Sequence, residues 1–193
     1  MSRPGRGTIL IAGLTSAAIL AVSGIAVWRH LGGTGGDTPA QRSAVIAPIA
    51  EVLDAARDHS DRCAAEFSAL ITAASATDDA MARLESCGDT ARALAERGYV
   101  SLDTVPQAGE APDSTSPRRA EYLDSAGSLL SMYELQGDDF DVVYDMMARA
   151  RATGATLSSL SADAGHVLNT GAPDVEAARK EATRAEAAYR KGG

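Results

Sequence analysis

From Thr8 to Trp28 the chain reads TILIAGLTSAAILAVSGIAVW, without a charge or a proline. A segment this apolar must satisfy its own backbone N–H and C=O groups once it leaves water, and a helix does so within a single segment. At a rise of about 1.5 Å per residue, a run of this length reaches roughly 30 Å, the thickness of a bilayer's hydrocarbon core. Residues 8–28 are therefore expected to form a transmembrane signal anchor behind a short N-terminus, 1–7, that carries Arg3 and Arg6. Trp28, followed by Arg29 and His30, suits an interfacial edge, with the indole at headgroup level and the charge in water. The alternative is a cleaved signal peptide with its small-residue site at Ala21-Val22-Ser23. Against cleavage, the apolar run continues through Ile25 to Trp28, past the point where such a peptide normally ends.

The positive-inside rule favours a cytoplasmic N-terminus by a small margin, since Arg3 and Arg6 precede the span and Arg29 follows it. The expected location is thus the cell membrane, single-pass, with the bulk of the chain outside; the alternative is a secreted protein. Arginine outnumbers lysine 16 to 2, an excess expected of a GC-rich bacterial source. Within the span Gly13, Ala17 and Ala21 recur every four residues. Small side chains at that spacing let two helices approach closely, so this face is a candidate for homodimerisation. An alanine-rich chain also produces such spacing without any partner.

Residues 29–38 form a glycine-rich linker, with LGGTGGD at Leu31–Asp37. Thr38-Pro39 then opens the remaining domain, 39–193, with a capping threonine and a proline at the first helical position. The chain carries −8, and setting aside Arg3, Arg6 and Arg29 leaves −11 on the part beyond residue 36. That sign excludes nucleic acid and anionic lipid headgroups as natural partners.

Periodicity beyond the linker is helical nearly throughout. Val45, Ile49, Val52, Ala56, His59, Cys63, Phe67, Leu70 and Ala74 step by three and four, the spacing of a packed helix seam. A first helix of more than thirty residues is expected, then a turn near Ser75-Ala76-Thr77. Thr77 caps a second helix with Asp78 and Asp79 in its first turn, and Gly98 ends it. Tyr99–Ser116, with Pro106 and Pro112, is aperiodic and is read as a long loop, functional or disordered. A third helix starts at Ser116-Pro117 and stops at Gly137; a fourth follows, weakened at Gly154 and ended by Gly171; a last, weakly apolar helix opens at Pro173. The fold class is all-α: a membrane helix followed by an extracytoplasmic bundle of four main helices, with a C-terminal helix lying on it or extending away.

Cys63 and Cys87 are the only cysteines, and residue 75 lies midway between them. In an antiparallel hairpin turning there, both fall at one height on facing seams, as an inter-helix bridge requires. A disulfide is expected in an oxidising exterior, and two free buried thiols in a cytoplasmic one. Without a C-x-x-C, redox catalysis has little support.

Catalytic and cofactor signals are weak. His30 is at the membrane edge, His59 lies on the first seam as a packing histidine, and His166 lies late in the fourth helix. None has a serine or cysteine nucleophile arranged with it, so the chain is read as non-enzymatic and without a cofactor. Asp138, Asp139, Asp141 and Asp145 lack a calcium-loop pattern and are read as acids at a helix start; no zinc spacing is evident. Tyr133, Phe140, Tyr144, Met146 and Met147 concentrate aromatic and thioether side chains at one corner. Such a set can serve as an adaptable interaction surface or simply as core. The expected function is that of an anchored envelope accessory protein binding another envelope protein. The alternative is a module holding a small apolar or lipidic ligand within the bundle.

Overall fold

The structure, a computed structural model, describes residues 37–72, 77–105 and 116–192. The expected span at 8–28 and its Gly13–Ala17–Ala21 face lie outside them. Among the described residues there is no strand, and no helix is long and apolar enough to cross a membrane.

Six α-helices are described: α1 Pro39–Thr72, α2 Asp78–Glu85, α3 Cys87–Thr104, α4 Pro117–Thr153, α5 Ser161–Thr170 and α6 Ala172–Lys191, with a 3₁₀ turn at Leu157–Leu160. α1 starts in a capping box. The Gln41 amide donates to Thr38 Oγ1 at 3.3 Å, while the Gln41 side chain accepts from the Thr38 amide. Pro48 sits inside α1 on its exposed side. α2 starts as its sequence suggests: Thr77 Oγ1 accepts from the Ala80 amide at 3.2 Å, and Asp78 and Asp79 fill the first turn.

α1, α3, α4 and α6 form an up-down-up-down bundle, with α2, the 3₁₀ turn and α5 closing one end. The core runs along it in three tiers. At the closed end Cys63, Phe67, Leu70 and Ile71 of α1 meet Phe140, Val143 and Met147 of α4 and Met81 and Leu84 of α2. In the middle Ala56 meets Leu129, Tyr133, Val175 and Ala182. At the open end Val45, Ile46 and Ile49 meet Tyr122, Ala126, Ala185, Tyr189 and Val105. From Val45 to Leu70 the seam read for α1 is the buried face observed, with Ile46, Ser60 and Ile71 added beside it; Ala74 lies outside the described residues. The last helix lies on the bundle through Val175, Ala182, Ala185 and Tyr189.

Three glycines act differently from the sequence reading. Gly137 does not end a helix: α4 runs unbroken from Pro117 to Thr153, so the expected third and fourth helices are one. Gly98 does not end one either, and α3 continues to Thr104, which makes the start of the expected loop helical. Both are buried where α3 and α4 pack. A Cβ on Gly137 would stand 3.0 Å from Ala91 Cβ and 3.2 Å from the Gly88 carbonyl, and one on Gly98 would stand 2.4 Å from Leu130 Cδ2. These positions lack a side chain because two helices pass close together, a gain that outweighs glycine's cost of about 1 kcal/mol in a helix. The stop is instead Gly154, in the left-handed region at φ 73°, whose amide donates back to the carbonyls of the last turn. The helix expected to run beyond it is the 3₁₀ turn and α5. A second interruption falls at Ser86, which separates α2 from α3 immediately before Cys87.

Candidate functional site

Among the described residues, three side chains of metal-ligating type come together where α3 begins against α1. Cys63 and Cys87 are disulfide-bonded, with Cα atoms 6.0 Å apart. Both are buried, at 4% and 3% exposure. The placement follows from the pattern that predicted it: each cysteine continues the apolar seam of its own helix. His59 lies one turn before Cys63 on the same face, because residues four apart on a helix are neighbours. Its Nε2 is 2.9 Å from the Cys87 carbonyl oxygen and 3.6 Å from Cys63 Sγ. A carbonyl can only accept, so Nε2 is the nitrogen that carries the proton. His59 is thus a packing histidine with a satisfied donor, as its seam position implied, and it also edges the disulfide. The sequence signal for this triad is His59-x-x-x-Cys63, two ligand-type residues one helical turn apart.

Outside this triad His59 borders an open hollow of about 800 Å³, lined also by Asp58, Asp61, Arg62, Thr90 and Leu94. On the other side of α1 a groove of about 560 Å³ runs between α1, α4, α5 and α6. Ile71, Leu168 and Val175 form its apolar part; Asp61, Gln136, Asn169, Glu176 and Arg179 form its polar part.

The corner of Tyr133, Phe140, Tyr144, Met146 and Met147 is largely core. Tyr133, Phe140 and Met147 are at most 2% exposed, and Tyr144 and Met146 are half-buried against the same cluster. The buried members lie on continuous α4 and pack in the core. Phe140 stacks on Phe67 with centroids 5.5 Å apart. The Tyr133 hydroxyl accepts from Arg179 Nε at 3.3 Å, and the Arg179 guanidinium lies 5.9 Å above the ring. Burial pushes the Tyr133 phenol up, and the Arg179 hydrogen bond opposes it.

The acidic run is a correction of another kind. Asp138, Asp139, Asp141 and Asp145 lie in the interior of α4, so they cap nothing. Arg92 of α3 reaches across to Asp141 at 2.7 Å and Asp138 at 3.1 Å, and to Asp89 on its own helix at 2.7 Å. Those hydrogen bonds, with Asp89 first, hold the guanidinium still more firmly protonated. Asp139 stands apart: burial and then Asp138 raise its carboxyl above the ordinary 3.8.

A buried polar set occupies the open end. Asp37, at the start of the described chain, accepts from the Tyr189 hydroxyl, and its carbonyl accepts from Arg42. Arg119 Nη1 lies 3.8 Å from its carboxylate, with the two side chains 5% and 11% exposed. Tyr122 stacks on Tyr189 at 5.8 Å, and its buried hydroxyl has no partner among the described residues. Burial raises both phenols, helped at Tyr122 by Glu186 and at Tyr189 by the hydrogen bond to Asp37. His166 is exposed on α5.

No family model, no curated protein and no solved structure matches this chain.

Proposed function

We propose that this protein is a membrane-anchored accessory protein of a bacterial cell envelope. In this reading residues 8–28 hold a disulfide-stapled helical domain outside the membrane, where it binds another envelope protein. The observation that carries the reading is the Cys63–Cys87 bond in a chain that opens with a bilayer-length apolar run. A structural disulfide belongs to an oxidising compartment, and an uncleaved N-terminal run supplies the route to one. The groove between α1, α4, α5 and α6 supports a protein partner over a lipid, since Asp61, Glu176 and Arg179 line it alongside Ile71, Leu168 and Val175. Protein interfaces combine apolar and charged side chains in this way.

Fractionation and intact mass of the native protein, without reductant, test the proposal. The expected result is membrane retention with the N-terminus uncleaved and a mass lighter by the hydrogen pair lost on oxidation. Cross-linking in cells should then give a discrete heavier band. A soluble form beginning near Gly24, or free thiols at Cys63 and Cys87, would overturn the anchored exterior reading. A solvent-extractable molecule co-purifying in place of a cross-linked band would favour the ligand-binding alternative.

A further inference from the structure

Three metal-ligating side chains converge at the α1–α3 contact. His59 Nε2, Cys63 Sγ and Cys87 Sγ lie within 4.8 Å of one another, all buried. Two cysteines and a histidine form a ligand set suited to zinc and similar thiophilic ions, which bind thiolate sulfur and imidazole nitrogen tetrahedrally. We propose that, when the Cys63–Cys87 bond is reduced, these three residues form a site for a thiophilic divalent ion of the zinc class. Bridge and ion are then alternative staples for the same helix contact.

Four features support the assignment. His59 and Cys63 are one turn apart on α1, so two ligands are fixed by a single helix and one is delivered by the start of α3. The bonded cysteines already stand 6.0 Å apart at Cα, so side-chain rotation alone can open room for an ion between the sulfurs. Two thiolates balance the charge of a divalent ion, and the neutral ensemble avoids the cost of burying an unpaired charge. The hollow beside His59 brings solvent to the edge of one of the three ligands.

The chemistry balances with a dithiol as reductant. The donor passes two electrons to the sulfur–sulfur bond and its two protons to Cys63 and Cys87, and it leaves as its own disulfide. The divalent ion then displaces both thiol protons to solvent, forming two metal–sulfur bonds. His59 shifts its proton to Nδ1, gives up the Cys87 carbonyl, and offers the Nε2 lone pair as third ligand. A small disulfide as oxidant takes two electrons from the thiolates and two protons from solvent and leaves as its dithiol, which remakes the Cys63–Cys87 bridge and expels the ion.

The test uses the full-length chain in detergent, reduced with a phosphine and titrated with Co²⁺ as a spectroscopic substitute for zinc. The reduced protein should take up one Co²⁺ per chain with a thiolate-to-cobalt charge-transfer band, and the oxidised protein should show none. His59→Ala should weaken binding at least about tenfold, the effect expected of disturbing a metal shell, while its oxidised form keeps the helical circular dichroism of the parent. The proposal fails if reduced protein binds Co²⁺ no more tightly than the Cys63→Ser/Cys87→Ser double variant, or if His59→Ala binds as tightly as the parent. Should reduction melt the helices, Co²⁺ must restore the helical signal, because ion binding would then be coupled to folding. A chain left unfolded with Co²⁺ would equally overturn the site.

Discussion

Each end of the bundle holds a stacked aromatic pair joining α4 to a neighbour, and the two ends are built on opposite principles. At the closed end Phe67 lies on Phe140 among aliphatic side chains, with the disulfide of Cys63 fastening α1 to α3 beside it. At the open end Tyr122 lies on Tyr189, and around them are Asp37, Arg42 and the buried guanidinium of Arg119. The apolar end draws on area removed from water, which is insensitive to geometry and pH. The polar end draws on hydrogen bonds to charged groups, which contribute only while every partner is present. Similar stacking thus sits in one region that tolerates small errors and in one that does not.

Breaking the closed end should have the largest effect. Phe67→Ala removes a fully buried ring and its stack on Phe140, and should cost about 4 kcal/mol in urea unfolding, within the range for large-to-small core changes. Next comes the staple. Its sequence separation of 24 residues predicts that Cys63→Ala/Cys87→Ala loses about 3 kcal/mol on a chain-entropy basis, read as a lower melting temperature in oxidising buffer. At the open end Asp37→Ala leaves Tyr189 without its acceptor and Arg119 without this counter-ion, and should cost about 2 kcal/mol, as the loss of a hydrogen bond to a charged group does. A loss as large as that of Phe67→Ala would erase the contrast between the ends.

The smallest effect has the opposite sign. Tyr122→Phe deletes a buried hydroxyl that has no partner among the described residues, so stability at neutral pH should hold or rise by up to about 1 kcal/mol. The folded protein holds the Tyr122 proton above the ordinary 10.0, so the unfolded chain releases it first. The stability it contributes is therefore complete below pH 10 and is lost as pH climbs beyond it. Urea unfolding on either side of that pH should show a shallower alkaline loss for Tyr122→Phe than for the parent. Equal slopes would remove Tyr122 from the account.

What could be read from the sequence was whatever depends on a single helix. The seam of α1, the Thr77 cap, the Ser116-Pro117 start and the pairing of Cys63 with Cys87 all follow from local spacing or from the symmetry of one hairpin. What could not be read depends on a second helix arriving. Gly98 and Gly137 look like stops because a residue without a side chain suits a helix end, yet the same lack is what a close crossing needs, and only the neighbour decides. Arg92 gives no local hint that it will gather Asp138 and Asp141 from another helix. Arg119 is buried by Asp37, which is distant in sequence. For the aromatic corner, spacing alone leaves surface and core both open; Tyr133, Phe140 and Met147 are buried in the structure.

The grip on Asp37 has a mechanical meaning. α1 begins only at Pro39, yet Asp37 is already held by Arg42 of α1, Arg119 of α4 and Tyr189 of α6. A pull arriving from the N-terminal side therefore meets cross-links to three helices before it can peel the first turn of α1. The load is shared across the bundle's width at the point where it enters, and the disulfide at the closed end lies outside its path until those contacts yield.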